Sequence, residues 1–145
     1  MRYDPDGHHR RSIRLPGWDY AAPGAYFVTV CTYRRCCLLG SITDGQMALN
    51  PWGKVVDTLW RRTLDRMPKV DLDVFQVMPN HLHAIITIVD ETVMDREQTP
   101  RDSSSDDHPT GPASGALGAI IGNLKSITTR RINAMRQTRG MTIWQ

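Results

Sequence analysis

His81 and His83 stand one residue apart at the head of an apolar, β-branched run, Val77-Met78-Pro79-Asn80-His81-Leu82-His83-Ala84-Ile85-Ile86-Thr87-Ile88. Such a run favours extended structure, and a strand points residues i and i+2 to the same face, so the two rings are expected side by side. Side by side they can share one cation, since neutral imidazole is the commonest metal ligand of proteins. Pro79-Asn80 fixes where pairing begins, because proline cannot donate to a ladder. A single histidine at a strand end is ordinarily a hydrogen-bonded edge residue; two in phase point to a site.

Cationic side chains supply the second chemistry. Arg34-Arg35 follow an aromatic, β-branched segment, where they suit a phosphate contact as well as a solvated exit from a sheet. From about Gly115 to Arg136 the apolar spacing predicts a helix, and winding it at roughly 100° per residue puts Gly118, Gly122, Lys125, Thr129 and Arg136 on one face. Glycine costs a helix about 1 kcal/mol against alanine, so two at this spacing imply a close backbone approach. A phosphate backbone met by Lys125 and Arg136 would satisfy that need, and so would a packed protein element. Cys31, Cys36 and Cys37 have no paired metal-ligand spacing and read as reduced thiols. His8-His9 belong to a polar arm, and His108 sits where ordering a flexible segment would oppose binding.

The positioning elements can be read in order. Tyr26 to Tyr33 is expected as a first strand, apolar on both faces and therefore central. Asn50-Pro51 reads as an N-cap and first helical residue, followed by Trp52, Val55, Val56, Leu59, Trp60, Leu64 and Met67 at helical spacing up to Pro68. Trp52 and Trp60 are expected in the core. Val70 to Met78 alternates as a second strand and should pair with the histidine strand as a hairpin. On the histidine strand His81, His83, Ile85, Thr87 and Val89 share one face, while Leu82, Ala84, Ile86 and Ile88 share the other. The last helix lays Leu117, Ile120, Ile121, Leu124, Ile127, Thr128, Ile132 and Met135 along one arc, and Met141 to Trp144 begins another strand. Strand, helix, strand, strand, helix and incipient strand is the order of a ferredoxin-like α+β sandwich, an antiparallel sheet with helices on one face.

A length of 145 residues suits one domain with a real core. Residues 1–24, rich in Pro, Gly and Arg, are expected to form a basic irregular arm, and residues 25–145 the domain, with a mobile acidic loop at about 90–114. The net charge is +3, but arginines crowd both ends: Arg2, Arg10, Arg11 and Arg14, then Arg130, Arg131, Arg136 and Arg139. Separated basic ends suggest a polyanion partner or, more plainly, a soluble surface. No apolar run reaches the length of a membrane span and nothing marks the chain for export, so a cytoplasmic protein without a membrane partner is expected.

Arg11-Ser12-Ile13-Arg14-Leu15-Pro16-Gly17, Gly24-Ala25-Tyr26-Phe27-Val28-Thr29-Val30-Cys31-Thr32, Val77-Met78-Pro79-Asn80-His81-Leu82-His83 and Leu124-Lys125-Ser126 together resemble the REP-associated tyrosine transposases, relatives of the single-tyrosine HUH transposases. The resemblance runs from about Arg10 to Gln145. It implies that His81 and His83 bind a divalent metal, Mg or Mn, beside a scissile phosphate of hairpin single-stranded DNA. It further implies strand transfer through a 5′-phosphotyrosine, in which the metal neutralises phosphate oxygens and the tyrosyl ester conserves the bond for rejoining. Arg34, Arg35, Lys125, Thr129, Arg130 and Arg136 are the candidate DNA contacts, with homodimerisation left open.

The sequence departs from that family at one point. There the nucleophilic tyrosine and a third metal-site side chain lie on a helix beyond a Trp-Gln pair, and here the sequence ends at Trp144-Gln145. Tyr3, Tyr20, Tyr26 and Tyr33 all precede the histidines and none matches the motif, so a chain of this length is expected to lack the cleavage reaction. The alternative reading is a non-catalytic nucleic-acid-binding module using the same basic surface. A two-histidine phosphodiesterase would need two His-x-Thr/Ser motifs, and the one histidine pair here, His81-Leu82-His83, lacks that form.

Overall fold

The computed structural model describes residues 14–90 and 115–145. Most of the expected arm, with Tyr3 and His8-His9, and nearly all of the expected acidic loop, with His108, lie outside the described residues. Residues 14–23 form turns, closed by bonds such as Trp18 N–H to the Leu15 carbonyl, before the first strand begins.

In chain order the elements are β1 (Gly24–Cys31), a short 3-10 turn (Tyr33–Arg35), β2 (Gly40–Thr43), β3 (Gln46–Leu49), α1 (Pro51–Leu64), β4 (Val70–Val77), β5 (His81–Ile88) and α2 (Leu117–Arg136). β1, β5 and β4 make an antiparallel sheet with β5 in the middle. Beyond β1, Trp144 forms an antiparallel bridge with Thr32, and Gln145 N–H donates to the Cys31 carbonyl at 2.9 Å. The last residues thus take the place of a fourth strand, in the spatial order of a ferredoxin-like α+β fold.

Alternation decides which side of the sheet is covered. Leu82, Ala84, Ile86 and Ile88 of β5 are buried beneath both helices, together with Val30, Phe75 and Val77. The helices add Val56, Trp60 and Leu64 from α1 and Ile120, Leu124 and Ile132 from α2; Trp60 stacks on Phe75 with centroids 5.5 Å apart. His81, His83, Ile85 and Thr87 look the other way, onto the open face.

Three expectations are corrected. The first strand is not buried on both faces, since it leaves Phe27 70% exposed, and on its outer edge it is flanked only at Cys31 and Thr32 by the last residues, whereas β5 is paired on both sides along its length. Aromatic and β-branched composition reports a fit to a pleated surface and does not count neighbours. Tyr33 leaves the strand for the 3-10 turn. Met135, expected on the core arc of α2, is exposed, while Asn133 is buried and donates to the Met141 carbonyl at 2.8 Å, pinning the turn that brings the last residues back to β1.

Candidate functional site

The histidine rings do stand together, with centroids 4.7 Å apart and nearly perpendicular planes. Each is fixed through Nδ1. His81 Nδ1–H donates to Asn80 Oδ1 at 2.7 Å, and His83 Nδ1 lies 2.9 Å from the Thr29 hydroxyl. Antiparallel register explains the second contact, since Thr29 is the direct cross-strand partner of His83. Among the described residues Nε2 of neither ring has a hydrogen-bond partner. That is the arrangement of ligating histidines, in which an outer partner holds one nitrogen and fixes the tautomer that leaves the other free. Burial first, then the charges of His83 and Arg35, hold His81 below the ordinary histidine value of 6.5, which keeps its ring neutral and able to ligate.

The pair is anchored from beneath by Thr32. Its amide donates to the Asn80 carbonyl at 3.0 Å, and its buried hydroxyl lies 2.7 Å from the Cys36 carbonyl and 2.9 Å from that of Asn80. Asn80 Nδ2 in turn donates to the Arg35 carbonyl at 3.2 Å. One asparagine therefore joins the arginine turn to the histidine pair. Arg34 and Arg35 are exposed and both have left-handed backbones, φ 54° and 53°. Non-glycine residues seldom adopt this conformation, and where they do the surroundings must hold them there. The Arg34 guanidinium lies over the Tyr33 ring at 5.2 Å. Phe27, on the open face beside this group, stacks on His83 with centroids 5.3 Å apart and planes 22° from parallel.

The α2 candidates lie elsewhere. Lys125 donates to the Gln145 carbonyl at 2.8 Å, and with Thr129 and Arg130 it lines a groove against residues 140–145. Lys125 also borders a second groove, along the free edge of β1, that reaches Thr29 and Phe27. Arg136 is not part of either groove: it lies over the Trp52 ring of α1 at 5.0 Å. Gly118 does meet a close neighbour, the Arg14 guanidinium, whereas Gly122 faces open space. Tyr20 and Tyr26 pack on each other, the Tyr26 hydroxyl donating to the Ala22 carbonyl, and no tyrosine among the described residues bonds to or stacks on either histidine.

A protein of Haemophilus influenzae strain Rd, named "Uncharacterized protein", is 35% identical to this chain over 144 residues, spanning 99% of this chain and 78% of the relative. The chain belongs to that protein's family. The aligned span includes the histidine strand, both helices and the arginine turn. No family model and no solved structure matches the chain.

Sequence reasoning missed Thr29, Thr32 and Asn80 as the residues that aim the rings. Asn80 carried a signal, standing between a proline and the first histidine; the two threonines carried none until the register of β1 on β5 was known.

Proposed function

We propose that this chain is a transposase-like protein that binds hairpin single-stranded DNA on the open face of its sheet, with a divalent cation held by His81 and His83. The observation that carries this reading is the pair of Nε2 atoms left free beside an arginine turn, each ring locked through Nδ1. The resemblance to the REP-associated tyrosine transposases supports it from the sequence. Two imidazoles suit the donor chemistry of manganese better than that of magnesium, although either ion accepts a mixed shell with oxygen ligands. A bound cation would neutralise phosphate oxygens and polarise phosphorus toward attack.

The chain's own residues have separate tasks in this reading. Asn80 and Thr29 orient the rings, Arg35 meets a phosphate next to His81, and the exposed Phe27 ring offers a base a stacking surface. The tyrosine nucleophile of the resembled family is assigned to no residue of this chain. The free cysteines fit a reducing cytoplasm. No described helix is long and apolar enough to cross a membrane.

The test is fluorescence anisotropy of the purified chain with a hairpin carrying a single-stranded flank, a blunt duplex and a matched RNA, across salt and with or without Mn²⁺. The hairpin should bind tightest, and Mn²⁺ should strengthen its binding in the parent but not in His81→Ala/His83→Ala. Equal affinity for all three nucleic acids would replace this reading with that of a general nucleic-acid-binding module. No binding to any of them would remove both.

A further inference from the structure

Charge is distributed unevenly over this chain. Its net charge is +3, yet α1 and α2 alone carry seven Lys or Arg residues and one acid, Asp57. That acid is already engaged by Arg61, one turn along α1, at 3.1 Å. Like charges left unpaired on one layer repel each other, so a layer this basic costs stability unless an anion meets it.

Three of these cations converge. Lys54, Thr58 and Arg62 stand four residues apart on the exposed flank of α1, and Arg131 faces them from α2 across an open groove floored by the half-buried Val55 and Leu59. Lys54, Arg62 and Arg131 form no ion pair among the described residues. Asp65, just beyond the end of α1, pairs with none of them.

The groove is separate from the surfaces described above. Successive residues of a helix point about 100° apart, and Arg130-Arg131 divide accordingly. Arg130 lines the groove against residues 140–145, whereas Arg131 lines the one against α1. His81 and His83 lie on the opposite side of the sheet.

The chemistry of the lining selects the partner. At 1.5 Å per residue, Lys54 and Arg62 are about 12 Å apart along the helix axis, a span of roughly three or four successive phosphates on one strand of a double helix. No aromatic side chain lines the groove, so unpaired bases find nothing to stack on. The one hydroxyl, of Thr58, offers little to the row of 2′-hydroxyls by which an RNA duplex is recognised. We infer that the α1–α2 groove is a second nucleic-acid site, which takes the phosphate backbone of double-stranded DNA without regard to sequence. It does not rest on the histidine site, and it leaves the open face of the sheet free for a single strand.

The test is fluorescence anisotropy of the purified chain with a blunt DNA duplex, an RNA duplex of the same sequence and the flanked hairpin, at several salt concentrations, with thermal melts as the check on folding. Lys54→Ala/Arg62→Ala/Arg131→Ala should weaken binding of the DNA duplex by roughly tenfold or more at low salt and lower its salt slope by up to about three units, close to one for each lost phosphate contact. Arg62→Lys/Arg131→Lys keeps the charges and should bind that duplex as the parent does. Hairpin binding by the triple variant should stay at the parent level. Unchanged duplex binding in the triple variant, or a larger loss in Lys125→Ala/Arg130→Ala, would overturn the site while leaving the hairpin reading to its own titration. Hairpin affinity falling in step with that of the duplex would overturn the separation of the two sites, and equal affinity for the RNA duplex would overturn the choice of DNA.

Discussion

His81 shows how much of a site depends on neighbours that carry no charge. Its ring is aimed by Asn80, and Asn80 is held by the buried Thr32. The same surroundings set its titration. Burial and the charges of His83 and Arg35 lower its affinity for a proton, so the folded chain should protonate His81 only below 6.5. The sign for stability follows: above the unfolded value neither state carries the proton, whereas between that value and the lower folded one the unfolded chain binds it preferentially. Stability should therefore fall as pH drops through that interval. An NMR titration of the metal-free chain should show the His81 ring resonance moving below 6.5, and Arg35→Ala should shift its midpoint back upward. An unchanged midpoint would mean that the Arg35 charge does not reach the ring. The histidine pair was legible in the sequence because strand period alone puts residues i and i+2 together. Thr29 was not, because its contact depends on pairing between strands that are distant in sequence.

At the scale of elements, the segment that follows the arginine turn is tied to the start of α1. Asn50 caps α1 by accepting from Gly53 N–H at 2.9 Å, and its amide also donates to the Leu38 carbonyl at 2.8 Å. Leu39 N–H donates to the Pro79 carbonyl at 2.9 Å, so this one connection ties the start of α1 to the approach to the histidine strand. It works only because Gly53 has no side chain, since a Cβ there would collide with the Leu39 carbonyl oxygen. Helix propensity alone predicts that Gly53→Ala stabilises by about 1 kcal/mol. The collision is with backbone and cannot be relieved by a rotamer change, so the expected result is a net loss on the order of 1–3 kcal/mol. Urea unfolding would measure it, and an increase in midpoint would show that α1 can move away from Leu39. The N-cap was legible in Asn50-Pro51 because capping is local chemistry. The β2–β3 hairpin is absent from the elements expected of the sequence, although Asp44-Gly45, with φ 51° and 76°, has the left-handed pair that a two-residue hairpin turn requires.

Across the whole molecule, the sheet separates the candidate DNA contacts into two groups. Arg34 and Arg35 adjoin the histidines at one end of the open face, whereas Lys125, Thr129 and Arg130 line a groove on the helical side. The helical wheel could not show this division, because it places residues around one helix and contains no information about the sheet it covers. Nor could it separate Arg136 from Lys125, which share a wheel position, although stacking on Trp52 commits Arg136 to the contact between helices. A strand of DNA meeting both groups must cross the free edge of β1, where a groove runs between α2 and the side chains of Phe27 and Thr29. Lys125 and Arg130 should then behave differently from Arg136. Lys125→Ala/Arg130→Ala should weaken hairpin binding and lower the slope of log affinity against log salt by up to about two charges' worth, since each phosphate contact contributes close to one unit. Arg136→Ala should leave that slope unchanged and lower thermal stability, because it removes a cation–π contact worth about 0.5–1 kcal/mol. Anisotropy titrations at several salt concentrations, paired with melting curves, would separate the two effects. A reduced slope in Arg136→Ala would place the DNA on the α1–α2 side and remove the crossing at β1.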